Sequence, residues 1–331
     1  MNKKISMQNI ADAVGVARST VSLVLNKKDK ERRISEDIAK KIRNAAQDLN
    51  YHPNEIARSL RTGKTSTIAL VVDDISDIFF GTLAYHLQKY AESKGYLLII
   101  VSTGEKHEHL SSVINMLVNR RVDGIVMVPV SNIEEGKIEQ LNPHIPMVFV
   151  DRYFENLTTS RVCINNYEIS KQATQLLVNK GCKRIALIIY RESLMHLQDR
   201  KKGFTDALLS SQLLDRALIC EVDYNNRHEE ITTFLKNIFA SPDNVDGIFT
   251  ATGGISSIAI GCMANMQIKL QTDVQIIAFG RVDVAVGVSI PYVKQPMEEI
   301  CKNSFDILMK RIKYPVSKVI DCVLNATIVD K

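Results

Sequence analysis

Residues 9–26 of the chain read NIADAVGVARSTVSLVLN, and this stretch decides the fold of the N-terminal part of the protein. Two short runs with apolar residues at helical spacing flank a single glycine, Gly15. Ser6 can cap a first helix over about 7–14, and Gly15 can end that helix because glycine readily adopts the left-handed backbone conformation. A second helix is predicted over about 17–25, so the stretch should fold as two helices joined by a tight turn.

A third helix is predicted downstream of the first two. Ser35 is a suitable cap, and Glu36 and Asp37 follow in the first turn, where the helix dipole favours negative charge. The apolar residues of this third helix are Ile38, Ile42, Ala45 and Leu49. Their spacing of 4, 3 and 4 residues is that of one helix face. Three short helices with a glycine turn between the first two are typical of a helix-turn-helix unit.

Basic residues are concentrated in this N-terminal region. Residues 1–64 contain 14 Lys and Arg against 7 Asp and Glu, a net charge of +7, whereas the remaining residues contain 28 against 30, a net charge of −2. A positive charge segregated in this way indicates a polyanionic partner. Since the second helix of a helix-turn-helix unit enters the major groove, we expect a DNA-binding head. A helical hairpin without a nucleic-acid role and a solvated lysine-rich terminus are the alternatives.

Two segments of this head resemble the DNA-binding head of the LacI/GalR family of bacterial transcription regulators. They are IADAVGVARSTVSLVLN, at 10–26, and ISEDIAKKIRNAAQDLNYHPNEIARSL, at 34–60. The resemblance implies that the second helix reads base edges with Ala17, Arg18, Ser19 and Leu23. It implies phosphate contacts, which position the head without reading sequence, by Thr20, Ser22 and Asn26. We also predict that Ser6, at the start of the first helix, contacts DNA.

The segment PNEIARSLRTGKT, residues 53–65, has the pattern of a short helix with Asn54 as its cap and Gly63 as its end. About seven residues do not hold a helix alone in water, so order here requires a partner. The resemblance identifies the segment as the hinge helix, two copies of which pair over the centre of an operator. Leu60 of each copy then wedges between base pairs in the minor groove, and Arg58 reaches a phosphate. A plain linker is the alternative.

From residue 66 onward, apolar runs rich in β-branched residues alternate with helical stretches such as 82–94 and 167–180. The runs are TIALVV, LLIIVS, DGIVMVPV, IPMVFVD, RIALII, DGIFTA and VQIIAFG. Repeated strand–helix–strand units predict parallel sheets with right-handed crossovers. The length suits two lobes, with a shared cleft at the carboxyl ends of their strands.

This body resembles the periplasmic-binding-protein-like core of the same family. The fold class implied is an all-α helix-turn-helix head followed by an α/β core of two doubly wound parallel-sheet lobes. The domains expected are a head at 1–53, a hinge helix and linker at 54–65, and an effector-binding and dimerisation core at 66–331. Within the core, lobe 1 should comprise about 66–164 and 295–326, and lobe 2 about 165–294 and 327–331. No leucine heptad follows NATIVDK at the end, so the resemblance implies a homodimer.

The resemblance also implies that a small-molecule effector, a sugar or a sugar phosphate, binds in the cleft. The positions that match ligand-contacting residues are Asp74, Phe79, Asp151 and Arg200. The alternatives are that Asp151 caps a turn and that Arg200 pairs across the lobes. The family's sugar binders have an Asn–Asp pair where this chain has Ile255 and Ser256, so carboxylates that accept ligand hydroxyls are missing. A standard free sugar is therefore disfavoured by these positions.

A second departure lies after the predicted strand VQIIAFG. Sugar binders of the family carry an acidic residue there, whereas this chain has Gly280 and Arg281. One hypothesis is therefore an anionic effector, held by Arg281 and Arg200 together with backbone N–H groups near Gly253. A cleft that responds to no small molecule is the alternative.

The sequence lacks the motifs that are typical of membrane proteins, secreted proteins, metal-binding proteins and common classes of enzyme. No apolar run approaches the roughly 20 residues that span a bilayer, and no secretory h-region follows the basic start, so we expect a cytoplasmic protein. The six scattered cysteines form no CxxC, and neither a metal nor a cofactor is expected. Without GxGxxG after the first strand, a Walker loop, HExxH or GxSxG, an enzyme is not expected. A two-lobed α/β enzyme with a basic tail and a nonspecific architectural DNA-binding protein are the alternatives.

Overall fold

The N-terminal unit of the computed structural model, Met1–Gly63, is built from helices around a small apolar core. Its described helices are α1 (Met7–Val14), α2 (Arg18–Leu25) and α3 (Glu36–Asp48). Gly15 has a φ of 72°, and its N–H donates to the carbonyl oxygen of Ala11 at 2.9 Å. The left-handed glycine predicted to end α1 is therefore present.

The second unit, Lys64–Lys331, contains the remainder of the chain. Across both units, the structure describes residues 5–26, 28–51, 59, 63–104, 107–130, 138, 145–155, 158–191, 194–241, 244–282 and 289–330.

The core of the N-terminal unit differs in one respect from the sequence prediction. Ile38, expected on the apolar face of α3, is 37% exposed, whereas its neighbour Ala39 is buried. The buried residues of α3 are Ala39, Ile42 and Ala46, which have the same three-and-four spacing as the predicted face. One residue corresponds to a rotation of about 100° around a helix. The two alanines bring α3 close to α1 and α2, where a face with Ile38 would be bulkier.

The second unit is made of strands that alternate with helices along the chain. Its strands are β1 (Thr67–Val72), β2 (Leu97–Ser102), β3 (Gly124–Met127), β4 (Met147–Val150), β5 (Arg161–Ile164), β6 (Ile185–Tyr190), β7 (Leu218–Val222), β8 (Gly247–Thr250), β9 (Gln275–Phe279), β10 (Tyr292–Lys294), β11 (Asp321–Leu324) and β12 (Thr327–Val329). Its helices are α4 (Ile78–Ser93), α5 (His107–Asn119), α6 (Asn166–Asn179), α7 (Met195–Ser210), α8 (Arg227–Ala240), α9 (Gly253–Asn265) and α10 (Met297–Lys313), with a 3₁₀ turn at Leu214–Arg216.

The strands form two sheets, which define lobe 1 and lobe 2. The order in lobe 1 is β11-β5-β4-β3-β1-β2, and the order in lobe 2 is β12-β10-β9-β8-β6-β7. The pairs are parallel except β10 with β12. Central strands such as β1 and β6 are buried almost throughout, as expected when helices cover both faces of a parallel sheet. The fold class predicted from the sequence is confirmed.

The chain passes between the lobes three times. After β5 it enters lobe 2, where α6 packs against α7; after β10 it returns to lobe 1, where α10 packs against α4. After β11 it enters lobe 2 again to form β12. Both lobes, and the side chains at the carboxyl ends of their strands, therefore belong to the same unit, Lys64–Lys331.

The contact between α6 and α7 depends on a glycine. A side chain at Gly203 would clash with the backbone of α6, where the carbonyl oxygen of Tyr167 and the nitrogen of Lys171 lie within 3 Å of the Cβ position. Glycine is therefore needed here for close approach of two helices. Among the described residues, no helix is long and apolar enough to cross a membrane.

Candidate functional site

The N-terminal end of α2 is an exposed polar surface. Ala17, Arg18 and Ser19 are exposed, whereas Val21 and Val24 on the opposite side of the helix are buried in the core. The first turn has no side-chain cap, since Ala17 offers no oxygen at the cap position. The base-reading residues predicted from the sequence thus lie at the start of a helix whose other face is held by packing.

The residues predicted to contact phosphates lie along the same helix. Thr20 and Ser22 are half-buried, and Asn26 is exposed at the carboxyl end of α2. Leu23, predicted to read base edges, is half-buried on the same helix. The Nδ2 of Asn26 donates to the carbonyl oxygen of Ser22 at 2.6 Å and to its Oγ at 3.3 Å, so these two side chains are held together at one end of α2. Ser6, at the start of α1, donates from its backbone N and its Oγ to Oδ1 of Asn9, at 3.0 and 2.8 Å. The remaining predicted DNA contacts, Asn54, Arg58 and Leu60, lie outside the described residues.

The loop between α2 and α3 carries a dense set of charges. Its Asp29 accepts a hydrogen bond from Nη2 of Arg43, on α3, at 2.6 Å. This ion pair ties the loop to the third helix. The exposed charged residues of the loop are Lys28, Lys30, Glu31, Arg32 and Arg33. Four of these five are cations, which adds positive charge next to α2.

A second site lies where the strands of both lobes end. In lobe 1, β1 is followed by Asp73 and Asp74, and β4 is followed by Asp151 and Arg152. In lobe 2, the corresponding strand ends carry Tyr190, Tyr224, Thr252 and Gly280. The carboxyl ends of parallel strands are the usual place for a ligand in open α/β folds. We call this region the interlobe cleft.

Arg200, on α7, is buried in the interlobe cleft and bonded to the protein itself. Its Nε donates to Oδ1 of Asn166 and its Nη1 to the carbonyl oxygen of Ala251, both at 2.8 Å. The guanidinium also lies 3.6 Å from the ring centroid of Phe279, a cation–π contact. Burial lowers the pKa of Arg200 to about 10, and the carboxylate of Asp151 acts against this shift.

Asp151 faces Arg200 from the other lobe. Its Oδ1 is 3.8 Å from Nη2 of Arg200, and its backbone adopts a left-handed φ of 65°. Burial raises the pKa of Asp151, while the charges of Arg200 and Arg152 act to lower it. The structure thus shows the alternative considered for Arg200, a pairing across the lobes, and its partner is Asp151.

Arg152 extends the charged cluster within lobe 1. Its Nη2 is 3.7 Å from Oδ2 of the buried Asp73, and its Nη1 donates to the carbonyl oxygen of Pro129 at 3.3 Å. Next along the chain, Tyr153 donates from its hydroxyl to Oδ2 of Asp199, on α7 of lobe 2. This hydrogen bond is a second direct link between the lobes.

His196, which the sequence analysis did not single out, lies one turn before Arg200 on α7. Its side chain is 4% exposed, and its Nδ1 has no hydrogen-bond partner. Burial, with the charges of Arg200 and Arg152, lowers the pKa of His196 well below its usual range. A neutral imidazole therefore stands among the guanidinium groups of the cleft.

The other predicted effector residues are placed differently. Oδ1 of Asp74 accepts from the backbone N of Ser76 at 2.9 Å, and hydrogen bonds from Ser76 lower the pKa of Asp74, with the charge of Arg227 acting in the same direction. Phe79 is half-buried and makes an edge-to-face contact with Phe80 at 5.3 Å between centroids. Arg281 is exposed.

The positions where related sugar binders have an Asn–Asp pair are buried in lobe 2. Ile255 belongs to the apolar core beneath α9, and Ser256 shares a 2.7 Å hydrogen bond with Oγ1 of Thr250. Both side chains are fully buried. The sequence observation that acceptors are missing from these positions therefore holds in the structure.

Several cleft residues were not identified from the sequence. Tyr190 and Tyr224 lie with ring centroids 5.5 Å apart, and the guanidinium of Arg227 is 4.3 Å from the centroid of Tyr224. Asp77 caps α4, its Oδ1 accepting from the backbone N of Phe79 at 2.8 Å. Their positions in the sequence could have identified them, because Tyr190 ends β6 and the others follow β7 and β1. Residues at the carboxyl ends of the strands line the cleft in this kind of fold.

Two family models match this chain. Residues 6–54 match the bacterial regulatory proteins of the lacI family, and residues 65–284 match the periplasmic binding proteins and sugar binding domain of the LacI family. The HTH-type transcriptional repressor PurR of Vibrio parahaemolyticus is 30% identical over 316 residues, which cover 93% of this chain and 92% of that protein.

Solved structures share the whole fold. The lac repressor dimer bound to operator and the anti-inducer ONPF superposes with a TM-score of 0.80 at 18% identity, covering 99% of this chain and 98% of that one. The transcriptional regulator CelR in complex with cellobiose superposes with a TM-score of 0.69 at 21% identity, covering 98% of each chain. At these identities the superpositions establish a common fold.

Proposed function

The chain belongs to the LacI family and is a DNA-binding transcriptional repressor rather than an enzyme, and we propose the following mechanism of regulation. It binds a pseudo-palindromic operator as a homodimer, and a sugar or sugar phosphate in the interlobe cleft changes its affinity for DNA. The observation that carries the proposal is the packed helix-turn-helix unit that holds Ala17, Arg18 and Ser19 exposed at the start of α2. Because its ligand is the chromosome, the protein works in the cytoplasm.

Recognition of the operator is assigned to α2. A helix of this kind enters the major groove with its first residues against base edges. Arg18 can donate two hydrogen bonds to O6 and N7 of a guanine, a pairing that discriminates against other bases by about 1–3 kcal/mol. The cationic loop between α2 and α3 contributes phosphate contacts, which add affinity without sequence preference.

In a homodimer, the second copy of the chain supplies the recognition helix for the second half-site of the operator. Lobe 1 exposes large apolar side chains on α4, on α5, on the edge strand β2 and in the loop before α4. They are Ile75, Ile78, Tyr85, Leu97, Ile100 and Met116. Apolar residues on an exposed sheet edge favour association with another chain. A second copy covering lobe 1 accounts for them, and the lac repressor, which shares the fold, is described as a dimer on its operator.

The hinge links the cleft to the operator. In the proposal, residues 54–65 form helices that pair on DNA, with Leu60 in the minor groove. An effector that closes or opens the cleft alters how two copies of lobe 1 face each other. This moves the first residues of the hinge helices, so that the helices form or melt. It can shift the balance only through its different affinities for the DNA-bound and free states.

A sugar-like effector is supported by the chemistry of the cleft. Aromatic rings and carboxylates at the strand ends are groups that pack on and hydrogen-bond to a polyhydroxy ligand. CelR, of the same fold, is known as a complex with cellobiose.

The proposal is tested by a mobility-shift assay with the full-length protein and a set of genomic fragments at several salt concentrations. We expect selective retention of a few fragments that persists as salt is raised. Uniform retention of all fragments, lost steeply with salt, would instead identify a nonspecific architectural protein.

A further inference from the structure

The positively charged side chains of the interlobe cleft already have partners in the protein. The pairings are Arg200 with Asp151, Arg152 with Asp73, and Arg227 with the ring and carbonyl oxygen of Tyr224. An anionic ligand would have to break such contacts to use these guanidinium groups. Arg281, the other cation considered from the sequence, is exposed.

The start of α9 is a further group of positive character among the described residues of the cleft, and Oγ1 of Thr252 caps it by accepting from the backbone N of Ile255 at 3.3 Å. The N-terminus of a helix attracts anions because of its free N–H groups and its dipole. Here a carboxylate of the other lobe already stands beside it. Oδ2 of Asp77 is 3.6 Å from the position that a Cβ on Gly254 would take, and the hydroxyl of Tyr190 is 3.3 Å from the same point.

Asp77 is held in this place by its own helix. Its Oδ1 caps α4 through the backbone N of Phe79, so Oδ2 is left to face α9 across the cleft. Gly254 has no side chain, which lets the carboxylate come close to the first turn of α9. The cap lies within lobe 1, but Gly254 belongs to lobe 2, which is why the sequence alone did not show the arrangement.

The charge around the cleft is negative. The carboxylates near it in the described structure are Asp73, Asp74, Asp77, Asp151 and Asp199. They outnumber the four guanidinium groups of Arg152, Arg200, Arg227 and the exposed Arg281. Since His196 is buried and neutral, it does not restore the balance. A phosphate entering this field meets like charge at short range.

We infer that Asp77 is a specificity-determining residue, which places a negative charge beside the first turn of α9 and so excludes phosphorylated effectors in favour of uncharged ones. The inference rests on the proposed function in taking the cleft as the effector site. It revises the hypothesis of an anionic effector, because Oδ2 of Asp77 already stands next to Gly254 in the first turn of α9. In addition, the unpartnered Nδ1 of His196 can accept a hydrogen bond from a ligand hydroxyl.

The test uses the full-length protein with inorganic phosphate as the probe. Asp77→Asn removes the charge, yet asparagine caps helices as well as aspartate does, so α4 is kept. The matched control is Asp215→Asn, which removes the same charge from an exposed 3₁₀ turn of lobe 2. Phosphate affinity is measured by titration calorimetry against sodium chloride of equal ionic strength.

We expect Asp77→Asn to bind phosphate at least tenfold more tightly than the wild type and the Asp215→Asn control. The head is identical in all three proteins, so phosphate bound there cancels in the comparison. Equal phosphate affinity in the three proteins would overturn the inference. If Asp77→Asn fails to fold, Asp77→Ser keeps a capping oxygen and is judged by the same criterion. DNA binding is not read in this assay, so its outcome is independent of the operator part of the proposed function.

Discussion

Nη2 of Arg200, on lobe 2, lies 3.8 Å from Oδ1 of Asp151, on lobe 1, and the two side chains are only 3% and 10% exposed. A buried ion pair stabilises a protein less than its geometry suggests, but removing one partner leaves a buried charge uncompensated. Asn166 and Ala251 still bond Arg200, yet both offer neutral oxygens. This ion pair between the lobes should therefore contribute to the folding stability of the protein.

We expect Asp151→Asn to lower the free energy of unfolding by about 3 kcal/mol. The control is Glu221→Gln, which breaks a 2.7 Å ion pair with Lys201 whose side chains are both 42% exposed. Exposed pairs contribute about 0–1 kcal/mol, so the control should change stability little. Chemical denaturation of the three proteins measures the difference. A loss no larger than that of Glu221→Gln would show that Arg200 does not depend on Asp151.

The buried imidazole of His196 predicts a pH dependence of stability. Its pKa is lowered in the folded protein, so between that value and the ordinary histidine pKa of about 6.5 the unfolded chain binds a proton that the folded chain does not. Stability should therefore fall as the pH is lowered through 6.5, by at most about 1.4 kcal/mol per pH unit from this residue.

The measurement compares the unfolding free energy of wild type and His196→Phe from pH 8 to pH 5. The wild type should lose stability relative to the variant below pH 6.5. Parallel curves over this range would mean that His196 takes up a proton in the folded protein as readily as in the unfolded chain.

Two glycines in helices of lobe 2 make opposite predictions. A Cβ at Gly203 meets the backbone of α6, whereas a Cβ at Gly261, on α9, has no neighbour within 4 Å. Gly203→Ala should push α6 and α7 apart and destabilise the protein by about 1–3 kcal/mol, the usual cost of overpacking. Gly261→Ala should stabilise it by about 0.5–1 kcal/mol, because alanine favours a helix more than glycine. Thermal unfolding distinguishes the two, and equal shifts would contradict the packing of α6 on α7.

The hinge proposal predicts a selective loss from Leu60→Ala. Leu60 lies outside the described residues, and its role is inferred from the resemblance. A wedge in the minor groove acts only on a site that the dimer bends, so the variant should lose more affinity for operator than for random duplex. Competition binding of the full-length protein with both DNAs measures this ratio. An equal loss on both would favour the plain linker.

The sequence predicted the head well because its signals are local. A left-handed glycine, a serine cap and three-and-four spacing act within a few residues, and Gly15 and Ser35 occupy the places expected of them. The prediction for α3 was wrong for Ile38 alone: Ile42, Ala45 and Leu49 contact the core as expected, but Ala39 is buried instead of Ile38. Only the close packing against α1 and α2 decides between them.

The cleft was harder to predict because its residues come from distant parts of the chain. Arg200 and Asp151 were named from resemblance, but their mutual pairing depends on the arrangement of the two lobes. The helical stretch expected from residue 82 begins at Ile78 instead, because Asp77 caps it there. That same cap places a carboxylate opposite Gly254, a contact that no local pattern encodes.

The most direct test of the account is selection from a pool of randomised duplex DNA by the full-length wild type, by Arg18→Ala and by Arg32→Ala. Arg18 lies at the start of α2, whereas Arg32 is an exposed cation of the neighbouring loop. We expect the wild type to enrich a pseudo-palindrome, Arg18→Ala to lose preference at one or two symmetric positions, and Arg32→Ala to keep the same motif with weaker binding. Enrichment of an unchanged motif by Arg18→Ala would contradict the assignment of sequence reading to the first turn of α2.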